Sequence, residues 1–167
     1  MPEFAAAVKA RPSRVAWWIR SAMTDLRPIL LVDDSARDVE LTLAALEGSG
    51  LANAVVVVRD GAEALDFLQR RGAFAGRSTP DPVLAVLDIR MPKVSGLELL
   101  ETVRRDETLR HLPVIMLTSS REESDLVRSR DLGVDAFVVK PLGFREFFEA
   151  VQDLGGRWAV MPPVLGA

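Results

Sequence analysis

Four short apolar runs punctuate the chain, and each ends in a polar residue. Ile29-Leu30-Leu31-Val32 ends in Asp33-Asp34, and Val83-Leu84-Ala85-Val86-Leu87 ends in Asp88. Val114-Ile115-Met116-Leu117 ends in Thr118-Ser119, and Ala136-Phe137-Val138-Val139 ends in Lys140-Pro141. Unbroken apolar runs of this length predict strands buried on both faces. Val55 to Val58 predicts one more strand. Between the runs the period changes. Val39, Leu43 and Leu46 share a face over 36–48, where Asp34 and Ser35 can cap a helix and Gly48-Ser49-Gly50 stops it. Asp60-Gly61 opens a helix carrying Ala64, Leu65 and Leu68, and a polar loop follows from Arg71 to Pro82. Further helices are expected at 96–105, 122–132 and 144–154.

Strands that alternate with helices predict a parallel sheet covered on both sides, an α/β fold. Right-handed crossovers and the common doubly wound, flavodoxin-like arrangement give the strand order 2-1-3-4-5. In that order the first strand lies beside the third. Asp33 and Asp34 then converge with Asp88, and Thr118 and Lys140 flank the same crevice.

Composition limits what the site can do. The chain has 167 residues and no cysteine, so disulfides and thiolate metal sites are excluded. A net charge of -3 argues against nucleic acid as a partner. No apolar stretch approaches the length of a membrane span. The expected organisation is an extension over 1–27, one domain over 28–154 and an arm over 155–167. The extension is expected to be a flexible leader, or upstream sequence included by an early start. Its Trp17, Trp18 and Ile19 leave open a short amphipathic helix on a membrane surface or partner.

Clustered carboxylates repel one another unless a cation sits among them, and hard oxygen donors favour Mg²⁺ or Mn²⁺. Lys140 adds a second positive charge, and Thr118 adds a hydroxyl donor. This set suits phosphoryl chemistry, with Asp88 as the nucleophile that forms an acyl phosphate. His111 is the sole histidine, so no Ser-His-Asp arrangement can be drawn.

Asp33-Asp34, Leu87-Asp88-Ile89-Arg90-Met91-Pro92 with Gly96, Leu117-Thr118-Ser119 and Val139-Lys140-Pro141 together resemble the receiver domain of two-component response regulators. The resemblance covers about 28–154. It implies that Asp88 accepts a phosphoryl group from a sensor histidine kinase. It implies Asp34 as a direct Mg²⁺ ligand, Asp33 as an acid that binds the ion through water, and the Arg90 main-chain carbonyl as a further ligand. Lys140 would pair with the phosphoryl group and Thr118 would swing toward it. Phe137 takes the aromatic switch position, where lack of a hydroxyl leaves packing as its only means of action.

A narrower likeness rests on other segments. The loop from Arg70-Arg71-Gly72 to Pro82, His111-Leu112-Pro113, Lys140-Pro141-Leu142-Gly143-Phe144 and the tail with Trp158 and Pro162-Pro163 resemble small single-domain regulators paired with phytochrome histidine kinases. Arg90 departs from the Asn frequent there. That likeness implies a cytoplasmic homodimer, joined through the last strand, last helix and C-terminal arm, without a DNA-binding output domain. Enzymatic turnover beyond self-phosphorylation and autodephosphorylation at Asp88 is not expected. One alternative is a phosphorylation-independent dimeric scaffold. Another is an aspartyl-phosphate hydrolase, which usually carries an acid two residues after the nucleophile, where this chain has Arg90. Dinucleotide binding would need G-x-G-x-x-G after the first strand, and the chain has Asp33-Asp34-Ser35-Ala36-Arg37-Asp38 there.

Overall fold

The computed structural model describes residues 27–48, 53–118, 130–140, 143, 145, 146 and 149. The leader, the C-terminal arm, Ser119 and most of the expected helices at 122–132 and 144–154 lie outside the described residues.

The strands are β1 (Ile29–Val32), β2 (Val55–Val58), β3 (Leu84–Asp88), β4 (Val114–Thr118) and β5 (Ala136–Val139). They form one parallel sheet in the order β2-β1-β3-β4-β5. Helices α1 (Ala36–Gly48), α2 (Gly61–Leu68) and α3 (Gly96–Arg105) connect them. The apolar runs are strands because the three central ones are covered on both sides: every residue of β1, β3 and β4 is buried. One face carries Leu30, Val32, Leu87 and Met116 against Ala64, Phe67 and Leu68 of α2 and Leu97, Leu100 and Val103 of α3. The other carries Ile29, Leu31, Val86 and Ile115 against Val39 and Leu46 of α1. Each fully buried aliphatic side chain contributes about 1.5–3 kcal/mol.

Local chemistry fixes where each helix begins. Ser35 caps α1, accepting from the Asp38 N–H at 3.3 Å, while Val39 N donates to the Ser35 carbonyl at 2.9 Å. Asp60 caps α2 through the Glu63 N–H at 2.8 Å. Ser95 and Glu98 form a reciprocal capping box on α3. Arg104 and Arg105 at the other end of α3 complement its dipole.

The segment from Arg71 to Pro82 departs from a plain polar loop. It contains a 3-10 turn, Gly72–Phe74, which buries Phe74 edge-on against Phe67 with centroids 5.2 Å apart. Arg77 lies over the other aromatic, 4.2 Å from the Phe67 centroid, and donates to the Phe67 carbonyl at 2.9 Å. One buried aromatic in a polar context was enough to fold the loop inward.

Candidate functional site

Register brings the site together. Val32 lies opposite Leu87, so Asp33 and Asp88 are the next residues on adjoining strands. Asp88 lies opposite Leu117, and Thr118 lies opposite Val139, so Thr118 and Lys140 follow at the same end of the sheet. The Lys140 N–H donates to the Thr118 carbonyl at 2.7 Å and fixes where the lysine leaves the strand. The chain reverses its winding direction between β1 and β3, which is where a doubly wound sheet opens a crevice.

Asp33, Asp34 and Asp88 each place a carboxylate oxygen within 4.8 Å of the others. Asp33 and Asp88 are buried and Asp34 is exposed. Asp33 Oδ1 accepts the Ser35 N–H at 3.0 Å, which ties the first acid to the start of α1. Thr118 is buried at the end of β4. Lys140 Nζ donates to Asp33 Oδ2 at 2.9 Å and Asp38 Oδ2 at 2.9 Å, and stands 3.3 Å from Asp88 Oδ1.

Burial pushes the Asp88 carboxyl up to about 6, reinforced by the Asp33 charge and opposed by Lys140 and the Arg90 backbone N–H. Burial alone would lower the Lys140 ammonium, but hydrogen bonds to Asp33 and Asp38, with the Asp88 charge, hold it above the ordinary lysine value. The hydrogen bond from Lys140 holds Asp38 below the usual carboxylate range despite partial desolvation.

The three carboxylates fit a divalent cation. They are hard oxygen donors, two of them are buried, and the Lys140 ammonium, bonded to Asp33 and 3.3 Å from Asp88, supplies one positive charge against three carboxylates. An open cleft of about 540 Å³ borders the cluster, with Asp34, Arg90 and Met91 on its wall.

Gly96 shapes the support under Asp88. A Cβ at this position would lie 2.1 Å from the Asp88 carbonyl oxygen, so only glycine lets α3 start that close to β3. The Gly96 N–H donates to the Ile89 carbonyl at 2.9 Å. The linking loop carries Lys93 at φ 65°, a left-handed conformation unusual for a non-glycine residue.

The expected set of Asp33, Asp34, Asp88, Thr118 and Lys140 is thus brought to one end of the sheet. Arg90 is exposed and follows Asp88 by two residues. Phe137 sits farther back, level with Met116 and half-buried, with the Arg130 guanidinium 5.9 Å from its ring centroid. Asp38 was not anticipated. Its signal in the sequence is slight: one acid in the first turn of a helix, where acids are common for dipole reasons.

Comparisons with known proteins agree with this geometry. The family model described as the response regulator receiver domain matches residues 29–152. The response regulator Rcp1 of Synechocystis is 34% identical over 130 residues, covering 78% of this chain and 87% of Rcp1. The solved bacteriophytochrome response regulator AtBRR is 60% identical, with a TM-score of 0.76, covering 82% of this chain and 98% of AtBRR. The Mn²⁺-bound form of Rcp1 superposes with a TM-score of 0.66 at 33% identity, covering 84% of this chain and 99% of that one.

Proposed function

Because the chain belongs to the response regulator receiver domain family, we propose that Asp88 is its phospho-acceptor and that a phytochrome-type sensor histidine kinase is its phosphodonor. The chain is a receiver-domain response regulator of two-component signalling, and receivers of this family work with sensor histidine kinases. The observation that carries the Asp88 assignment is its position: a buried carboxylate beside two further acids and 3.3 Å from an ammonium. The phytochrome pairing is supported by the 60% identity to a bacteriophytochrome response regulator.

An Asp88 oxygen attacks the phosphorus of a phosphohistidine. The P–N bond breaks and the imidazole keeps its electron pair. Lys140 faces the incoming charge, and the Thr118 hydroxyl, buried at the end of β4, would donate to a phosphoryl oxygen. Asp33, Asp34, Asp88 and the Arg90 carbonyl would hold Mg²⁺, which supplies positive charge against the phosphoryl oxygens when bound. Phe137 answers by repacking, since its ring has no donor.

A second copy of the chain is the proposed partner at the sheet edge, through β5, the last helix and the C-terminal arm. Support comes from Val139, an apolar residue 41% exposed on the edge strand. Among the described residues no helix is long and apolar enough to cross a membrane, and the proposed site of action is the cytoplasm.

The test is intact mass after incubation with acetyl phosphate and Mg²⁺. Wild type is expected to gain one phosphoryl group and Asp88→Asn none. Undiminished gain in Asp88→Asn would overturn the assignment. For the edge, sedimentation of Val139→Glu is expected to show a shift toward monomer, and an unshifted dimer would remove β5 from the interface.

A further inference from the structure

Lys140 has a carboxylate partner outside the strand-end cluster. An ammonium carries three N–H donors. Asp33 and Asp38 accept from it at 2.9 Å each, while Asp88 stands at 3.3 Å. Asp38 belongs to the first turn of α1, and its side chain is 36% exposed, whereas that of Asp33 is 0% exposed. The lysine is therefore drawn toward α1 as well as toward the acceptor.

We propose that Asp38 is a positioning residue, which shares the Lys140 ammonium with Asp33 and Asp88 and draws it toward α1 until a phosphoryl group competes for it. The proposal rests on the reading of Asp88 as phospho-acceptor. The three donors of Lys140 are shared among Asp33, Asp38 and the ion pair with Asp88, so a phosphoryl group that draws the ammonium closer weakens its hold on the other two carboxylates. Asp33 is fully buried, so leaving it unpaired is costly. Asp38 is partly exposed, so water can replace the lysine there. Asp38 is thus the partner released, and the start of α1 loses a contact when the site is charged. The depressed Asp38 carboxyl agrees with a pair that is formed in the uncharged site.

Two measurements on the full chain test this. One is the acylation rate of Lys140 by a small succinimidyl ester, read by peptide mass mapping. The other is the rate of phosphoryl gain from acetyl phosphate with Mg²⁺. Asp38→Asn is expected to raise both by about two- to fivefold, the size of one partly exposed ion pair. Glu40→Gln removes the same charge from an exposed position on α1 and is expected to change neither. Asp38→Glu, which keeps the charge, is expected to stay close to wild type. Unchanged Lys140 acylation in Asp38→Asn, or slower phosphoryl gain, overturns the proposal. If wild type takes up no phosphoryl mass while Asp38→Asn still accelerates acylation, the tether stands and the phospho-acceptor reading falls.

Discussion

The two ends of the sheet use the same chemical groups to opposite effect. At the amino end, Arg104 donates to the carbonyls of Gly133, Arg110 and Leu112 at 3.1, 3.1 and 2.7 Å and to Asp135 Oδ2 at 3.0 Å. Asp135 also accepts the Val114 N–H at 2.8 Å, so one guanidinium and one carboxylate lock α3 to the starts of β4 and β5. Burial lowers the Arg104 value, but Asp135 answers it. At the carboxyl end, Asp33, Asp38 and Asp88 share the Lys140 ammonium, and Asp34 adds a further carboxylate beside Asp33 and Asp88. One end saturates its charges. The other leaves a buried acid whose ionisation is resisted, and such imbalance is characteristic of sites that bind or react.

The sharpest way to break this contrast is Arg104→Ala. It removes four hydrogen bonds, one of them to a charged partner, and is expected to cost about 2–4 kcal/mol in urea unfolding. Phosphoryl gain of the folded fraction is expected to be retained. A loss of less than about 1 kcal/mol would show that the amino end is not the stabilising one.

Next in size is the opposite substitution at the carboxyl end. Asp88→Asn is expected to stabilise the chain by about 1–3 kcal/mol at neutral pH, because the wild-type group is ionised there against its environment. The folded value of about 6 lies above the ordinary aspartate value of 3.8, so the native state holds the proton longer than the unfolded chain. The contribution of Asp88 to stability is therefore fully present below about 3.8 and lost as pH rises through about 6. The stability gap between Asp88→Asn and wild type should open across that window and stay flat above it. A gap independent of pH would mean that Asp88 is not resisted.

A divalent cation should act in the same place with reverse sign. Mg²⁺ or Mn²⁺ is expected to raise the melting temperature of wild type above pH 6, and to do so less below it, where Asp88 holds a proton. Equal stabilisation of Asp88→Asn would place the ion elsewhere. The smallest effect belongs to the solvent face of α3. There Arg105 pairs with Glu101, and Arg105→Ala should cost no more than about 0.5 kcal/mol.

Much of this was legible in the sequence, for a definite reason. The central strands β1, β3 and β4 are buried on both faces, so they must be written as unbroken apolar runs, and their polar ends stand out. Parallel winding then places Asp33, Asp88, Thr118 and Lys140 at one edge. What the pattern could not carry was contact across chain distance. Asp38 and Lys140 are 102 residues apart, and nothing periodic links them. Arg104 reads as an ordinary basic residue closing a helix, although its carbonyl partners lie in two different loops. Phe74 was hidden because its neighbours Arg71, Gly72, Gly76 and Ser78 all belong to loop chemistry.

Gly96 packs against the Asp88 carbonyl so closely that no side chain fits between them. The Asp88 backbone is therefore stiff, braced by α3 from behind. A new charge on a stiff mount does not propagate by displacing the mount. It has to be taken up by the side chains around it, the Lys140 ammonium foremost among them. A mutation that softens the brace would thus let Asp88 recoil, and a charge placed there would be felt less by its neighbours.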